Sequence, residues 1–253
     1  MTELLEYHAL FLLLAAPCVG SFLGLVAVRL PAGRSVLRGR SACPHCEAVL
    51  GFLDLVPILG WRLARGRCRH CGAAISWNYP AIEGAALIVA LWSLAVLPGW
   101  LAWAGSLLGW SLIALAVIDA RHLLLPDALT LPLVPAGLAI AWFVDPAKLP
   151  DHALGAAAGF LALAAVGLAY RRLRGREGIG LGDAKLFAAA GAWVSWEGLP
   201  STLLLAAAGA LAGHLLGARL TGRSLQGREL PFGPYIAGAL WLVWLYGPLS
   251  LGP

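Results

Sequence analysis

The sequence predicts an all-α polytopic membrane protein of about eight transmembrane helices, with a cytoplasmic four-cysteine loop between helices 1 and 2. Hydrophobic residues make up 60% of the 253 residues and charged residues only 12%, and the mean hydropathy is +0.81. A soluble domain of this length needs far more polar surface. Long apolar runs recur along the chain, and the basic residues gather between these runs. Both patterns are typical of a polytopic membrane protein.

The apolar runs give the number of helices. A membrane-crossing helix needs about 17–25 mostly apolar residues. Seven runs qualify, at residues 10–28, 81–97, 100–118, 128–144, 153–170, 202–218 and 232–249. An eighth run, 184–196, is long enough only if its helix begins at or before Asp183, which would place that carboxylate at the membrane edge. The N-terminal run is predicted to be a retained helix rather than a signal peptide, because its first charges are Glu3 and Glu6.

The basic residues give the orientation. The formal charge of +5 could suggest nucleic-acid binding, but the basic residues lie between apolar runs, so no nucleic-acid partner is expected. With eight alternating helices, every Lys and Arg except Lys148 lies on one side of the membrane. The positive-inside rule makes that side cytoplasmic and places both termini outside. Without the short sixth helix, Arg219, Arg223 and Arg228 would move to the opposite side, so charge favours eight helices over seven.

The one substantial polar segment, residues 30–80, contains two Cys-x-x-Cys motifs. The two motifs are separated by 21 residues, and their cysteines are Cys43, Cys46, Cys68 and Cys71. Two such motifs suit a tetrahedral structural zinc site, whereas disulfides are disfavoured in a reducing cytoplasm. A redox pair in either motif, or His45 and His70 as ligands, are weaker alternatives because four thiolates already complete the coordination. We expect three parts: helix 1 (1–29), the zinc loop (30–80) and a seven-helix membrane domain (81–253).

Two aspartates are the candidate catalytic residues. Asp119 ends helix 3 and Asp183 begins helix 6, so the predicted topology puts both at the cytoplasmic boundary. Carboxylates brought close together share a proton, and such a pair can activate water against a peptide carbonyl and protonate the departing amine. Gly180 and Gly182 would let backbone or substrate approach Asp183. Asp127 ranks third, since it is also suited to starting helix 4.

Other interpretations of the same residues stay open at this point. Each aspartate alone could be an ordinary helix end, with Asp183 as an N-cap and Asp119 as an interfacial residue. A proton- or cation-coupled transporter could use the same two carboxylates. The chain could also be an inactive zinc-loop scaffold of a secretion apparatus.

Several motifs, in this order, resemble those of the bacterial prepilin peptidases, which are type IV leader peptidases and intramembrane aspartyl proteases of the Gly-x-Gly-Asp type. They are Gly20-Ser-Phe-Leu with Arg29-Leu-Pro31, the double Cys-x-x-Cys loop, Tyr79-Pro80 with Glu83, Asp119 with Leu125-Pro-Asp127, Glu177-Gly-Ile-Gly-Leu-Gly-Asp183-Ala-Lys185 and Pro231-Phe-Gly-Pro234. The resemblance runs nearly end to end.

The resemblance implies a multi-pass peptidase of the bacterial plasma membrane with catalytic Asp119 and Asp183. It implies cleavage of the short basic leader of type IV prepilin and pseudopilin precursors at the cytoplasmic face. Members with the four-cysteine loop commonly also methylate the new N-terminus with S-adenosylmethionine.

Overall fold

A computed structural model of the chain describes residues 2–175, 178–221 and 230–249. Arg176, Glu177, Arg223 and Arg228, which entered the sequence analysis, lie outside these residues. The described residues form helices and loops, with two isolated antiparallel β-bridges in the cysteine loop. The chain divides into two compact units, Met1–Ala114 and Leu115–Pro253. The predicted all-α class is confirmed.

The first unit contains helices α1 (Thr2–Arg29), α2 (Leu59–Leu63) and α3 (Asn78–Val96). Helix α1 packs closely on α3, because a Cβ at Gly20 would lie 2.6 Å from a backbone Cα of α3. Helix α4 (Leu101–His122) begins in this unit and ends in the second. The cysteine loop, which includes α2, connects α1 to α3.

The second unit contains the end of α4 and four further helices. They are α5 (Asp127–Val144), α6 (Leu149–Arg174), α7 (Leu181–Thr221) and α8 (Gly233–Tyr246). Helix α7 packs against α5, α6 and α8. Its contact with α6 is close enough that a Cβ at Gly159 would lie 2.5 Å from a backbone carbonyl oxygen of α7. Small residues at such positions allow helix backbones to approach each other in a membrane.

Helix α7 is a hairpin of two arms rather than one rod. A straight helix of its 41 residues would be about 60 Å long. Yet Asp183 near its start interacts with Asp119, which accepts a hydrogen bond from the first residue of α8. Near the other end, a Cβ at Gly213 would meet the hydroxyl of Tyr235, also in the first turn of α8. The chain therefore reverses at Ser195, whose φ of 63° and ψ of 173° are not helical.

The two arms, residues 181–194 and 196–221, account for the predicted runs 184–196 and 202–218. Six helices of the described chain are long and apolar enough to cross a membrane, α7 counting once among them, and Gly233–Tyr246 is a shorter apolar helix. With α7 divided into its arms, the described residues contain eight apolar helical segments, in agreement with the predicted number. The first arm begins at Leu181, before Asp183, as its length required.

Candidate active site

Asp119 lies in the last turn of α4 and is buried, with 5% of its surface exposed. Its Oδ2 accepts a hydrogen bond of 2.9 Å from the backbone N–H of Gly233, the first residue of α8. The free N–H groups of a helix N-terminus favour a carboxylate at this position. The hydrogen bond therefore fixes the Asp119 carboxylate between the end of one helix and the start of another.

Asp183 lies in the first turn of α7 and is partly buried. Its Oδ2 accepts a hydrogen bond of 3.2 Å from the backbone N–H of Gly180, just before the helix. The carboxylates of Asp119 and Asp183 line one open cavity of about 520 Å³ and are close enough to interact electrostatically. The structure thus brings the two predicted aspartates together from opposite ends of different helices.

Leu125, in the loop between α4 and α5, packs between the segment that carries Asp183 and the start of α8, which is hydrogen-bonded to Asp119. It is 6% exposed. A Cβ at Gly182 would lie 3.1 Å from the Cβ of Leu125, and a Cβ at Gly233 would lie 3.1 Å from its Cδ2. Both glycines therefore make room for one leucine, which sets the spacing of the segments beside the cavity.

Asp127 and Lys185 form an ion pair at the same cavity. The Nζ of Lys185 lies 2.7 Å and 2.8 Å from the two carboxylate oxygens of Asp127. This contact connects the first residue of α5 to the first turn of α7, two residues beyond Asp183. Asp127 does begin a helix, as the sequence suggested, and its carboxylate also joins that helix to α7.

The sequence pattern indicates the two carboxylates but not the groups that position them. The motifs contain Gly233 and Leu125 but do not indicate what these residues contact. Lys185 contributes to the sequence analysis only as a basic residue that helps to assign the orientation. Their roles depend on partners far away in sequence. Gly233 and its partner Asp119, for example, are 114 residues apart. For Gly233, the one signal in the sequence is its place in the motif Pro231-Phe-Gly-Pro234.

The second predicted site is a cluster of four thiols in the cysteine loop. The sulfurs of Cys43, Cys46, Cys68 and Cys71 all lie within 4.8 Å of one another. Two of the distances, Cys43 to Cys71 and Cys46 to Cys68, are 3.9 Å. A tetrahedral zinc ion with bonds of about 2.3 Å separates its sulfur ligands by roughly 3.8 Å, so the cluster fits the predicted coordination.

The two halves of this cluster are built in the same way. In the first, the N–H of Cys43 donates to the carbonyl of Ala48 at 3.0 Å, and the N–H of Glu47 donates to the carbonyl of Cys43 at 2.9 Å. In the second, Cys68 makes the matching bonds with the residues five and four positions after it, at 2.8 Å and 2.9 Å. An isolated β-bridge closes each half. The repeated geometry orients both pairs of thiols toward one centre.

The backbone also favours thiolates in this cluster. The N–H groups of Cys46 and His45 donate to the sulfur of Cys43 and lower the pKa of its thiol to about 7. The pKa of Cys68 is lowered in the same manner. At Cys46 a bond from the backbone of Ala48 lowers the pKa, but burial and the neighbouring thiols outweigh it and raise the value to about 12. Four adjacent thiolates repel one another, and a bound cation relieves that repulsion.

These features define a class of protein: a polytopic membrane protein with a carboxylate pair at helix ends, open to a cavity large enough for a peptide segment. This is the arrangement of an intramembrane aspartyl peptidase. Two family models match the chain. The bacterial peptidase A24 N-terminal domain matches residues 14–97, which include the four cysteines, and the type IV leader peptidase family matches residues 106–218, which include both aspartates.

Curated relatives agree with the family models. A protein of Aeromonas hydrophila is 45% identical over 213 residues, covering 82% of this chain and 72% of the relative. Proteins of Dickeya chrysanthemi and Pseudomonas aeruginosa are 41% and 37% identical, covering 92% and 90% of this chain and 92% and 87% of their own lengths. All three are named prepilin leader peptidase/N-methyltransferase. No solved structure matches the chain.

The chain belongs to the type IV leader peptidase family, and the predicted resemblance is confirmed. The comparisons give no support to the transporter alternative.

Proposed function

We propose that this protein cleaves the short leader from type IV prepilin and pseudopilin precursors, with Asp119 and Asp183 as its catalytic pair. The observation that carries the proposal is that two carboxylates from different helices line one cavity, within the segment that matches the peptidase family. The relatives' names support the same substrate class.

The chemistry follows from the proximity of the two carboxylates. Because like charges close together disfavour double ionisation, the pair holds one proton between them. The ionised carboxylate takes a proton from water as the water oxygen attacks the peptide carbonyl. The protonated carboxylate donates its proton to the departing amine as the C–N bond breaks. The hydrogen bonds from Gly233 and Gly180 hold both carboxylates in place for these transfers.

The direct test incubates the purified full-length protein in lipid with a purified prepilin and follows the product by mass spectrometry. We expect a shortened pilin whose new N-terminus follows the leader. An intact precursor under conditions in which a known relative is active would contradict the proposal, and would leave an ion-transport role for the same aspartates to be measured in vesicles.

The basic residues support a cytoplasmic active site in the bacterial plasma membrane, with both termini outside. The last turn of α6 carries Arg171, Arg172 and Arg174, and the last turn of α4 carries Arg121, two residues after Asp119. These helix ends therefore carry the positive charge that is typical of the cytoplasmic side. A reporter active only in the cytoplasm should be active when fused after Arg174 and silent when fused at Pro146. Activity at Pro146 would contradict this orientation.

We also propose a structural zinc ion held by Cys43, Cys46, Cys68 and Cys71, and a second activity. Zinc bound by four thiolates has no open coordination position, so it stabilises the loop rather than acting on substrate. The relatives' names support N-methylation of the processed pilin, for which S-adenosylmethionine is the methyl donor that the resemblance implies. The mass-spectrometric experiment reports both activities, since an added methyl group is resolved from the loss of the leader.

A further inference from the structure

The segment between the two Cys-x-x-Cys motifs presents an apolar surface that is distinct from both sites. In residues 52–63, which we call the interfacial segment, five large apolar side chains are exposed. Their exposed fractions are 84% for Phe52, 61% for Leu53, 42% for Leu55, 57% for Leu59 and 67% for Leu63. Five exposed apolar side chains within one short segment are unfavourable in water and indicate an interaction surface.

The opposite side of the interfacial segment is firmly attached to the rest of the loop. The carboxylate of Asp54 accepts a bond of 2.8 Å from Nε of Arg69. The indole N–H of Trp61 donates to the carbonyl of Ile75 at 3.1 Å. The chain turns so tightly that a Cβ at Gly60 would lie 2.5 Å from the carbonyl oxygen of Asp54. The polar groups therefore face the loop, and the apolar side chains are left on the outside.

A hydrogen bond attaches this segment to the first part of the apolar helix α3. The backbone N–H of Ile58 donates to Oε2 of Glu83 at 2.6 Å. Glu83 is buried in α3. It lies five residues after Asn78, where the apolar span begins, and this separation is about 7.5 Å along the helix axis. Ile58 has a φ of 63°, an unfavourable conformation for a β-branched residue, so the contact is held against local strain.

Aromatic and basic side chains around the segment match the chemistry of a membrane surface. The rings of Trp61 and Trp77 meet edge to face at 5.0 Å, immediately before α3 begins. Tryptophan is enriched at this level of a bilayer. Arg62 and Arg65 are exposed at the end of the segment, where they can reach lipid phosphates.

We propose that the interfacial segment lies in the lipid headgroup region, with its five apolar side chains directed toward the acyl chains and Arg62 and Arg65 at the phosphates. The partner is the bilayer itself, because the segment is hydrogen-bonded to Glu83, a residue within the span α3. Short amphipathic segments bind membranes in this way. The proposal does not depend on the proposed peptidase activity.

The test places a genetically encoded fluorescent amino acid at position 52 or 63 of the full-length protein in phosphatidylcholine–phosphatidylglycerol vesicles. The control carries it at position 47, an exposed site directly after the first Cys-x-x-Cys motif. Lipids brominated on the acyl chain should quench positions 52 and 63 at least about twofold more than position 47. Aqueous iodide should show the reverse order.

Two outcomes would overturn the proposal. Quenching by iodide equal to that at position 47 would mean that the segment is in water. Protection from both quenchers would mean that protein covers it, either a second copy or another part of this chain.

The role of the two arginines is tested by changing the lipid. In the unaltered protein, bromolipid quenching should be stronger in vesicles that contain phosphatidylglycerol than in phosphatidylcholine alone, and the Arg62→Gln/Arg65→Gln variant should lose this difference. An unchanged lipid dependence would contradict the assigned role of the two arginines.

A second pair of variants tests the attachment to α3. Glu83→Ala removes the acceptor for Ile58, whereas Glu83→Gln keeps an acceptor oxygen. We expect bromolipid quenching at position 52 to fall in Glu83→Ala and to persist in Glu83→Gln, in protein that still inserts in the membrane. Equal quenching in both variants would show that Glu83 does not set the depth of the segment.

Discussion

The cysteine cluster and the aspartate cavity are built on different principles. The cluster consists of two short motifs, each of which closes its own turn with its own backbone hydrogen bonds. The aspartate cavity is lined by the segments around Asp119 and Asp183, a third segment at Gly233 holds Asp119 by a hydrogen bond, and no two of the three are close in sequence. A change in the cluster should therefore have a local effect, whereas the cavity should be sensitive to small changes in packing at any of these three segments.

The largest effect should come from the carboxylate pair. Asp119→Asn and Asp183→Asn each remove one member of the pair that shares a proton, while keeping nearly the same shape. Because general acid–base catalysis contributes about 10²–10⁴-fold, cleavage of a prepilin should fall by at least about 100-fold in either variant. Initial rates of product formation measure this, with protein amount in the membrane as the control. A rate near that of the unaltered protein in either variant would remove that residue from the catalytic pair.

The next effect should come from the start of α8. A Cβ at Gly233 would lie 2.7 Å from Oδ2 and 3.0 Å from Cγ of Asp119, so Gly233→Ala must displace the carboxylate or α8. We expect cleavage to fall by roughly 10–100-fold, since displacing a reacting group by about 1 Å costs about that much. The matched control is Gly238→Ala in the same helix, where a Cβ would meet nothing within 4 Å.

Gly238→Ala should cleave at the normal rate. Equal losses in the two variants would show that α8 is merely intolerant of alanine, and no loss in Gly233→Ala would show that Asp119 does not need its present position.

A smaller effect on cleavage should follow the loss of the metal. Cys46→Ser leaves three thiolates, and the zinc content of the purified protein should fall from about one ion per chain toward zero. The helices are held by membrane packing, so cleavage should fall by less than about tenfold. Methylation should fall further if the loop contributes to that second site. Metal analysis and mass spectrometry of the processed pilin measure the three quantities.

Undiminished zinc in Cys46→Ser would contradict the four-cysteine site. A loss of cleavage as complete as in Asp183→Asn would mean that the loop takes part in proteolysis, for example by binding the basic leader, and the contrast between the two regions would fail.

The same contrast explains what could be predicted from the sequence. The cysteine cluster was predictable because its ligands stand in two local motifs of known spacing, and the structure places all four thiols together. The proximity of Asp119 and Asp183 was predictable because the predicted topology puts both at one membrane boundary, and both line one cavity in the structure. The sequence predicts two apolar runs, 184–196 and 202–218, whereas the structure breaks the helix at Ser195, inside the first of these runs.

The contacts that shape the cavity could not be predicted. Leu125 packs against two glycines from segments more than 50 residues away, and no periodicity or charge pattern relates them. The pairing of Lys185 with Asp127 spans 58 residues, and each side chain alone has an ordinary explanation. Such contacts depend on how helices pack in three dimensions, which local sequence patterns do not determine.

The smallest effect should come from the ion pair at the cavity. The side chains of Lys185 and Asp127 are 30% and 55% exposed, and exposed pairs contribute about 0.2–1 kcal/mol. Because the pair connects α5 to the turn that carries Asp183, Lys185→Gln and Asp127→Asn should each lower cleavage by only about two- to fivefold. If the pair acts as a unit, the double variant should lose no more than either single variant. The exchange Asp127→Lys/Lys185→Asp should restore part of the rate, and the thermal stability of all four proteins should stay close to that of the unaltered chain.

Additive losses would mean that the two residues act separately. A loss in Asp127→Asn as large as in Asp119→Asn would instead place Asp127 in the catalytic pair, and would mean that one of the two aspartates assigned to it belongs among the residues that only shape the cavity.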